Sequence, residues 1–404
     1  MLRNYKAVFR EPGTAKFCIA ALVMRFPMAM YPIGLVLMIS QRTGHYGFAG
    51  VLSASYVIGG APGNPLLARW ADRFGQSRVL LPACALHALS IVAVAVLLES
   101  KAPMWTLVAP TFIMGFSFMS VPSLVRARWS YVLEGHAELT TAYSLESTLD
   151  EVVFVVGPLA ATLIATQIDA VGVLVLGVVL VSVGGAWLAA LTTTEPPAHL
   201  PGADRQPSAI RSPGMPLLLL AACGMGGIFA GAEVSMIAFC GQHMHRSASG
   251  IVLACFAFGS GVSGFLYGAR TWRSELLSRF RLNAALFGLL PVLFLAAVNV
   301  PVLAVIAFVV GAGIAPTLIT AFGLVERLVP SGALTEGMAW LTTGLNVGYG
   351  AAAAGVGKLA DVEGARTAFS VAIGAGALMA ICAFVLAWRL PRREPASEPV
   401  VVGA

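Results

Sequence analysis

Long apolar runs broken by short polar stretches organise this chain from end to end. The first six run from Ala15 to Ile39, Gly47 to Ala68, Val79 to Leu98, Met104 to Leu133, Leu139 to Ala165 and Val171 to Leu191. Six more run from Pro216 to Phe239, Ser249 to Ala269, Leu282 to Val298, Val302 to Val325, Thr335 to Val356 and Thr367 to Trp388. A helix needs about 20 apolar residues to cross a bilayer, so the pattern predicts twelve membrane-spanning helices. Between the sixth and seventh lies TTTEPPAHLPGADRQPSAIRSPG (Thr192 to Gly214), rich in proline and polar residues, as a linker is. The expected organisation is a six-helix bundle over 1–191, a linker over 192–214 and a second six-helix bundle with a short tail over 215–404.

Composition sharpens this reading. Hydrophobic residues make up 58% of the 404 and charged residues only 11%, where a soluble domain carries about 25% charged. Mean hydropathy is +0.85. Too little polar surface is available for a soluble enzyme, a nucleic-acid binder or a disordered chain. The six cysteines (Cys18, Cys84, Cys223, Cys240, Cys255, Cys382) are scattered, mostly within apolar runs, with no CxxC pair, which suits buried thiols better than disulfides or a metal cluster.

The net charge of +6 reads as topology. With both termini in the cytoplasm, 19 of the 25 Lys and Arg residues fall on the cytoplasmic side, five fall outside, and Arg25 lies within a span. The first apolar run is long and lacks a small-residue cleavage site, so it is expected to be a retained helix rather than a signal peptide.

The two parts of the chain run in step. Gly115 and Pro122 precede basic residues in the fourth span, as Gly311, Gly313 and Pro316 precede Arg327 in the tenth. TTAYSLESTLDEVVFVVGP (Thr140 to Pro158) aligns in position with EGMAWLTTGLNVGYGAAAAG (Glu336 to Gly355). Duplicated six-helix parts that rock about a midplane site are a transporter trait.

The loop after the second span reads Ala68-Arg69-Trp70-Ala71-Asp72-Arg73-Phe74-Gly75-Gln76-Ser77-Arg78. It resembles the Gly-x-x-x-Asp-Arg-x-Gly-Arg-Lys loop of the major facilitator superfamily, whose members also carry duplicated six-helix halves. Asp72, Arg73, Gly75 and Arg78 match; Ala68 replaces the leading glycine and Gln76-Ser77 the Arg-Lys pair. The resemblance covers nearly the whole chain. It implies an all-α fold of two pseudo-symmetric bundles around a central cavity, with this loop latching the cytoplasmic side when the cavity faces outward. Gly75 permits a sharp turn, and Asp72 is suited to capping a helix start or pairing with an arginine.

The fifth span carries three acids, Glu146, Asp150 and Glu151. Charges at membrane depth are costly and mark pathways or paired sites. Glu146 and Asp150 are four apart and share a helix face; Glu151 is turned about a quarter-circle away. The eleventh span offers Thr342, Thr343, Asn346 and Val347 instead. Arg25 and Asp150 lie at similar depth, roughly 15 Å in at 1.5 Å per residue, and Arg126 matches Glu146 at about 10 Å. The superfamily's architecture groups the first, fourth and fifth helices. The expected pairs are therefore Arg25 with Asp150 or Glu151, and Arg126 with Glu146. A carboxylate for which an arginine and a proton compete makes a coupling device.

Gly157-Pro158 in the fifth span resembles, in part, the antiporter motif of drug-exporting members, although Val153, Ala160 and Ala161 stand where glycines are usual. Glu233, after the Gly-rich start of the seventh span, is the one deep acid of the second part and suits a proton, a cationic substrate or an interfacial cap. Met24, Met28, Met114, Phe116, Phe118, Met119, Phe229 and Met236 offer either adaptable cavity surface or core. His243 and His245 lack supporting ligands for a metal, and a lone His87 reads as structural.

The sequence thus predicts a secondary transporter of the 12-helix drug/proton antiporter branch, exporting small hydrophobic or amphipathic compounds against protons. An importer or uniporter of a sugar, organic acid or other metabolite is the alternative. The absence of a GxxxxGK[ST] loop argues against ATP drive, and DDxxD, GxGD or Ser/His signatures of intramembrane enzymes are missing, as is the design of an oligomeric channel. The expected setting is a bacterial inner membrane, as a monomer in the lipid bilayer, with no cofactor, metal or nucleic acid.

Overall fold

The computed structural model describes residues 2–43, 46–100, 102–136, 138–198, 207–243, 248–272 and 274–390. These residues are helical or irregular, with no strand among them. A short α1 (Leu2–Val8) precedes α2 (Thr14–Thr43), α3 (Tyr46–Phe74), α4 (Gln76–Glu99), α5 (Val108–Ser117), α6 (Val121–Val132), α7 (Leu139–Gln167) and α8 (Ala170–Ala190). After the linker come α9 (Met215–Gln242), α10 (Ser249–Gly268), α11 (Leu276–Leu289), α12 (Val300–Gly311), α13 (Ile314–Leu328), α14 (Leu334–Glu363) and α15 (Ala365–Arg389). Nine helical segments among the described residues are long and apolar enough to cross a membrane. The other three expected runs fall in α2, α3 and α14, each of 29 or 30 residues.

Three expected spans depart from a continuous helix. The fourth is broken between α5 and α6, where Phe118 and Ser120 are extended and Pro122 enters the first turn of α6. Proline has no N–H to donate and is tolerated there because the first turn needs none. The tenth breaks at the corresponding place, between α12 and α13 at Ala312-Gly313. The ninth begins earlier than expected, at Leu276, and ends in a 3₁₀ segment, Leu290–Ala296, that starts around Pro291.

Helix packing repeats across the linker. In the first part α2 lies against α7 and α8, and α3 against α5; in the second α9 lies against α14 and α15, and α10 against α12. The close crossings are built alike. A Cβ on Gly59 would strike the Phe112 carbonyl and one on Gly115 that of Tyr56; Gly259 and Gly311 stand in the same relation to Phe308 and Phe256. In each crossing either glycine sits three residues along its own helix from the carbonyl that the other glycine admits, so backbones touch where any side chain would hold them apart.

The two parts meet along two seams, α3 with α14 and α7 with α10. Exchanging α3 for α10 and α14 for α7 turns one seam into the other. Fully buried aromatic and aliphatic side chains, among them Phe17, Trp129, Phe287 and Phe369, fill the interior.

Candidate functional site

A chain of alternating charge crosses the interior of the first part. Glu146 and Asp150 occupy one face of α7 because they are four residues apart, and both reach Arg25 from α2. Arg25 Nη2 lies 2.5 Å from Glu146 Oε2, and its Nη1 lies 3.1 Å from Asp150 Oδ1. The other Asp150 oxygen, Oδ2, accepts from Arg126 Nη2 of α6 at 2.9 Å. Trp129, one turn along α6, donates its indole N–H to Glu146 Oε1 at 2.8 Å. Two cations thus balance two anions. Arg25, Arg126 and Glu146 are buried, whereas the Asp150 side chain keeps 17% exposure.

The expected pairing changes in two respects, the first being that Arg25 meets Glu146 as well as Asp150. Arg126 meets Asp150 and, at 3.5 Å, the Ser147 hydroxyl, not Glu146. Arg25 and Trp129 already occupy the Glu146 oxygens. Matched depth fixes the level of two side chains on neighbouring helices but not their rotation about the axes. Arg126 also stacks over the ring of Phe322 in α13, 4.0 Å from its centroid, which carries the charged chain to the second part. Its Nε and Nη1 have no hydrogen-bond partner among the described residues.

Glu151 takes neither arginine. The residue is turned about 100° from Asp150 and faces α10, where the Ser260 hydroxyl donates to its Oε1 at 2.6 Å. This bond continues a ladder of polar contacts between α7 and α10. Thr141 donates to the Gly268 carbonyl at 2.7 Å, and Ser144 donates to that of Gly264. Tyr5 of α1 donates to the Phe265 carbonyl at 3.1 Å and stacks on the Phe265 ring.

The other seam closes at the same end. Asp72, near the end of α3, accepts the backbone N–H groups of Thr335 and Glu336 at 3.1 and 2.8 Å. Its carboxylate caps the start of α14, where free N–H groups and the helix dipole favour negative charge. Arg69, one turn before Asp72, lies 3.8 Å from Glu336 Oε2. The linker residue Ser208 donates to Glu336 Oε1, as does the Trp340 indole at 3.3 Å. Gly75 supports the turn into α4 with φ of +95°, a conformation costly for residues with a Cβ. Glu195 of the linker caps α4 by accepting from Ser77 N at 3.0 Å. Gln76, which stands where the superfamily loop has arginine, accepts from Arg128 Nε at 2.8 Å. Arg73 and Arg78 remain exposed, with Arg73 over its neighbour Phe74, and the structure brings neither to the seam.

The remaining expected residues are placed apart from this set. Glu233 accepts from the Tyr349 hydroxyl at 2.9 Å, linking α9 to α14 within the second part. Gly157 marks the crossing of α7 over α2, where a Cβ would come 2.8 Å from that of Ala29. Pro158 sits inside α7 without ending it. His87 is buried between the Met114 carbonyl and the Tyr31 hydroxyl, each at 2.9 Å. Met24, Met114, Met119 and Met236 are buried in the core. His243 contacts the Phe239 carbonyl, while His245 lies outside the described residues.

Sequence reasoning missed Ser260, Phe322 and Trp129, and it used Arg69 only to count charge. Glu336, an acid at the start of an apolar run, is the one missed partner with a visible signal.

The sequence profile of the Major Facilitator Superfamily matches residues 17–281 and 241–402. A comparison with curated proteins gives no match. Among solved structures, the chain is similar to a bacterial homologue of the iron transporter ferroportin in its outward-facing state (TM-score 0.74, 16% identity, 93% of this chain and 99% of that one). It is also similar to the human organic anion transporter MFSD10 (TM-score 0.73, 15% identity, 93% and 100%). A third similar structure is the fucose:proton symporter FucP of E. coli (TM-score 0.69, 14% identity, 92% and 99%). At these identities the likeness is one of fold.

Proposed function

Since the chain belongs to the Major Facilitator Superfamily, and is thereby a multi-pass membrane transporter, we propose that it is a proton-coupled exporter of small hydrophobic or amphipathic compounds. In this reading twelve crossings form two six-helix bundles, both termini are cytoplasmic, and the protein works as a monomer in a bacterial inner membrane. The described conformation is outward-facing, with the α3–α4 end as the closed cytoplasmic gate. The cavity changes sides as the α3–α14 and α7–α10 seams part and re-form.

The observation that carries the reading is the placement of the α7 acids. They sit between a buried arginine network and a seam that must open, so a proton arriving at a carboxyl can alter how the two parts hold together. Gly157-Pro158, at the crossing of α2 and α7, supports export. The neutral pairing of Glu146 and Asp150 with two arginines favours, as second reading, a uniporter or importer in which those pairs are only structural.

Purified protein in proteoliposomes, given a panel of lipophilic cations and neutral amphipathic compounds, tests the proposal through a pH-sensitive dye. Proton movement evoked by a compound and opposite to it supports antiport. Compound movement with no proton movement supports the uniporter.

A further inference from the structure

We propose that Glu151 is the carboxyl that takes up and releases the coupled proton, and that it does so at the α7–α10 seam, while Glu146 and Asp150 are fixed counter-charges. The proposal rests on the proton-coupled reading above and names its carrier.

Charge balance separates the three acids. Glu146 and Asp150 match Arg25 and Arg126 one for one. A proton on either would strand a buried guanidinium without its counter-ion, a strongly unfavourable change. Glu151 makes no ion pair among the described residues, and the Ser260 hydroxyl is its hydrogen-bond partner. A proton there removes a charge that no described residue balances. The hydroxyl serves both forms, since it donates to a carboxylate oxygen or to the carbonyl oxygen of the acid.

The surroundings agree. Among the described residues, the charged groups acting on Glu151 are two acids, Asp150 on its own helix and Glu233 on α9. Helix α10 carries no Asp, Glu, His, Lys or Arg from Ser249 to Gly268. On α13, which also packs on α7, the charged residues are Glu326 and Arg327, at the end where Glu326 meets Tyr143. Tyr143 lies about two turns from Glu151.

Location turns this carboxyl into a gate. Glu151 is farther along α7 than Thr141 and Ser144, which make the other α7–α10 hydrogen bonds. With the seam closed, the protonated acid is held against Ser260 between apolar helices. Parting of the seam admits water at the α3–α4 end, and the carboxylic O–H bond breaks as its proton passes to water, leaving a solvated carboxylate. Re-closure at that end follows when the exported compound has bound, and a proton from the opposite side then bonds to the carboxylate oxygen once the cavity faces outward. Rising pH therefore favours the open seam.

The test measures conformation rather than transport. Spin labels at Leu81→Cys and Leu282→Cys, both exposed near the closed end, report the separation of the two parts in nanodiscs, in full-length protein with its native cysteines replaced. Between pH 6 and pH 8 the unmodified site should shift its population towards longer distances. Glu151→Gln, which retains an acceptor for Ser260, should hold the short distance at both pH values. Asp150→Asn should keep the shift, and Ser260→Ala should move its midpoint to lower pH by weakening the closed state. A pH shift that persists unchanged in Glu151→Gln overturns the assignment while leaving proton coupling standing, as does an unmoved midpoint in Ser260→Ala. Loss of the shift in Asp150→Asn, with Glu151→Gln still shifting, transfers the role to Asp150 and also overturns it. No shift at the unmodified site defeats the proton-coupled reading itself.

Discussion

Replacing Arg25 by methionine leaves Glu146 buried with, among the described residues, the Trp129 indole and the Cys18 thiol as its side-chain donors. Asp150 fares better, because Arg126 still reaches its Oδ2 at 2.9 Å. Removing one partner of a buried ion pair costs about 3–5 kcal/mol. An unfolding entropy of about 2.1 cal/mol/K per residue gives about 0.8 kcal/mol/K for 404 residues. Arg25→Met should therefore lower the melting temperature in detergent by about 4–6 °C. Arg25→Met with Glu146→Gln removes both charges while keeping an oxygen to accept from Trp129. The double variant should recover most of the loss, ending within about 2 °C of the parent, because an ion pair and its neutral replacement are often close in energy. Thermal unfolding followed by tryptophan fluorescence provides the measurement. A drop below about 1 °C in Arg25→Met, or a double variant no better than the single one, would refute the buried, charge-matched network.

Three other outcomes follow from the geometry. Asp72→Ala removes the acceptor for two N–H groups at the start of α14, a loss of about 1 kcal/mol as for a helix cap, so cysteines introduced near the α3–α4 end should react several-fold faster with a water-soluble maleimide. An unchanged labelling rate would count against the latch. Gly259→Val drives a side chain into the Phe308 carbonyl, whereas a Cβ on Gly261 meets open space; the first should abolish recovery of folded protein by size-exclusion chromatography and Gly261→Ala should leave it intact. Gly75→Ala imposes φ near +95° on a residue with a Cβ and sets that Cβ 2.8 Å from Glu195. A melting-temperature loss of about 1–2 °C is expected, corresponding to about 1–2 kcal/mol of strain, and no loss would show that the turn relaxes freely.

The helices were legible because membrane burial demands a long apolar run, but the breaks inside the fourth and tenth spans were not, since an apolar run stays apolar across an extended or bent stretch such as Phe118 to Ser120. The ninth segment shows the limit: Leu276 to Arg281 contains two arginines and a serine, yet continues the helix. The acids of α7 and the arginines facing them stood out as charges in apolar surroundings. Their pairing did not, since Arg126 and Glu146 share a depth but not a direction. The seams were least legible. Asp72 meets Glu336 across 264 positions, and Glu151 meets a serine that looks like any other small residue of α10. No periodicity links such partners, because packing of whole helices brings them together. Arg73 and Arg78 show the converse, matching a loop pattern yet lying outside the contact it suggested.

Alternation of the two parts is tested most directly by holding the closed end shut. Arg69 and Glu336 form a contact of 3.8 Å across the α3–α14 seam, so a short reducible bis-methanethiosulfonate would bridge Arg69→Cys and Glu336→Cys. Transport of a compound found active in the proteoliposome panel should cease in the bridged protein and return on reduction, with either single cysteine unaffected by the reagent. Continued transport at the unbridged rate while the link is intact would contradict the account.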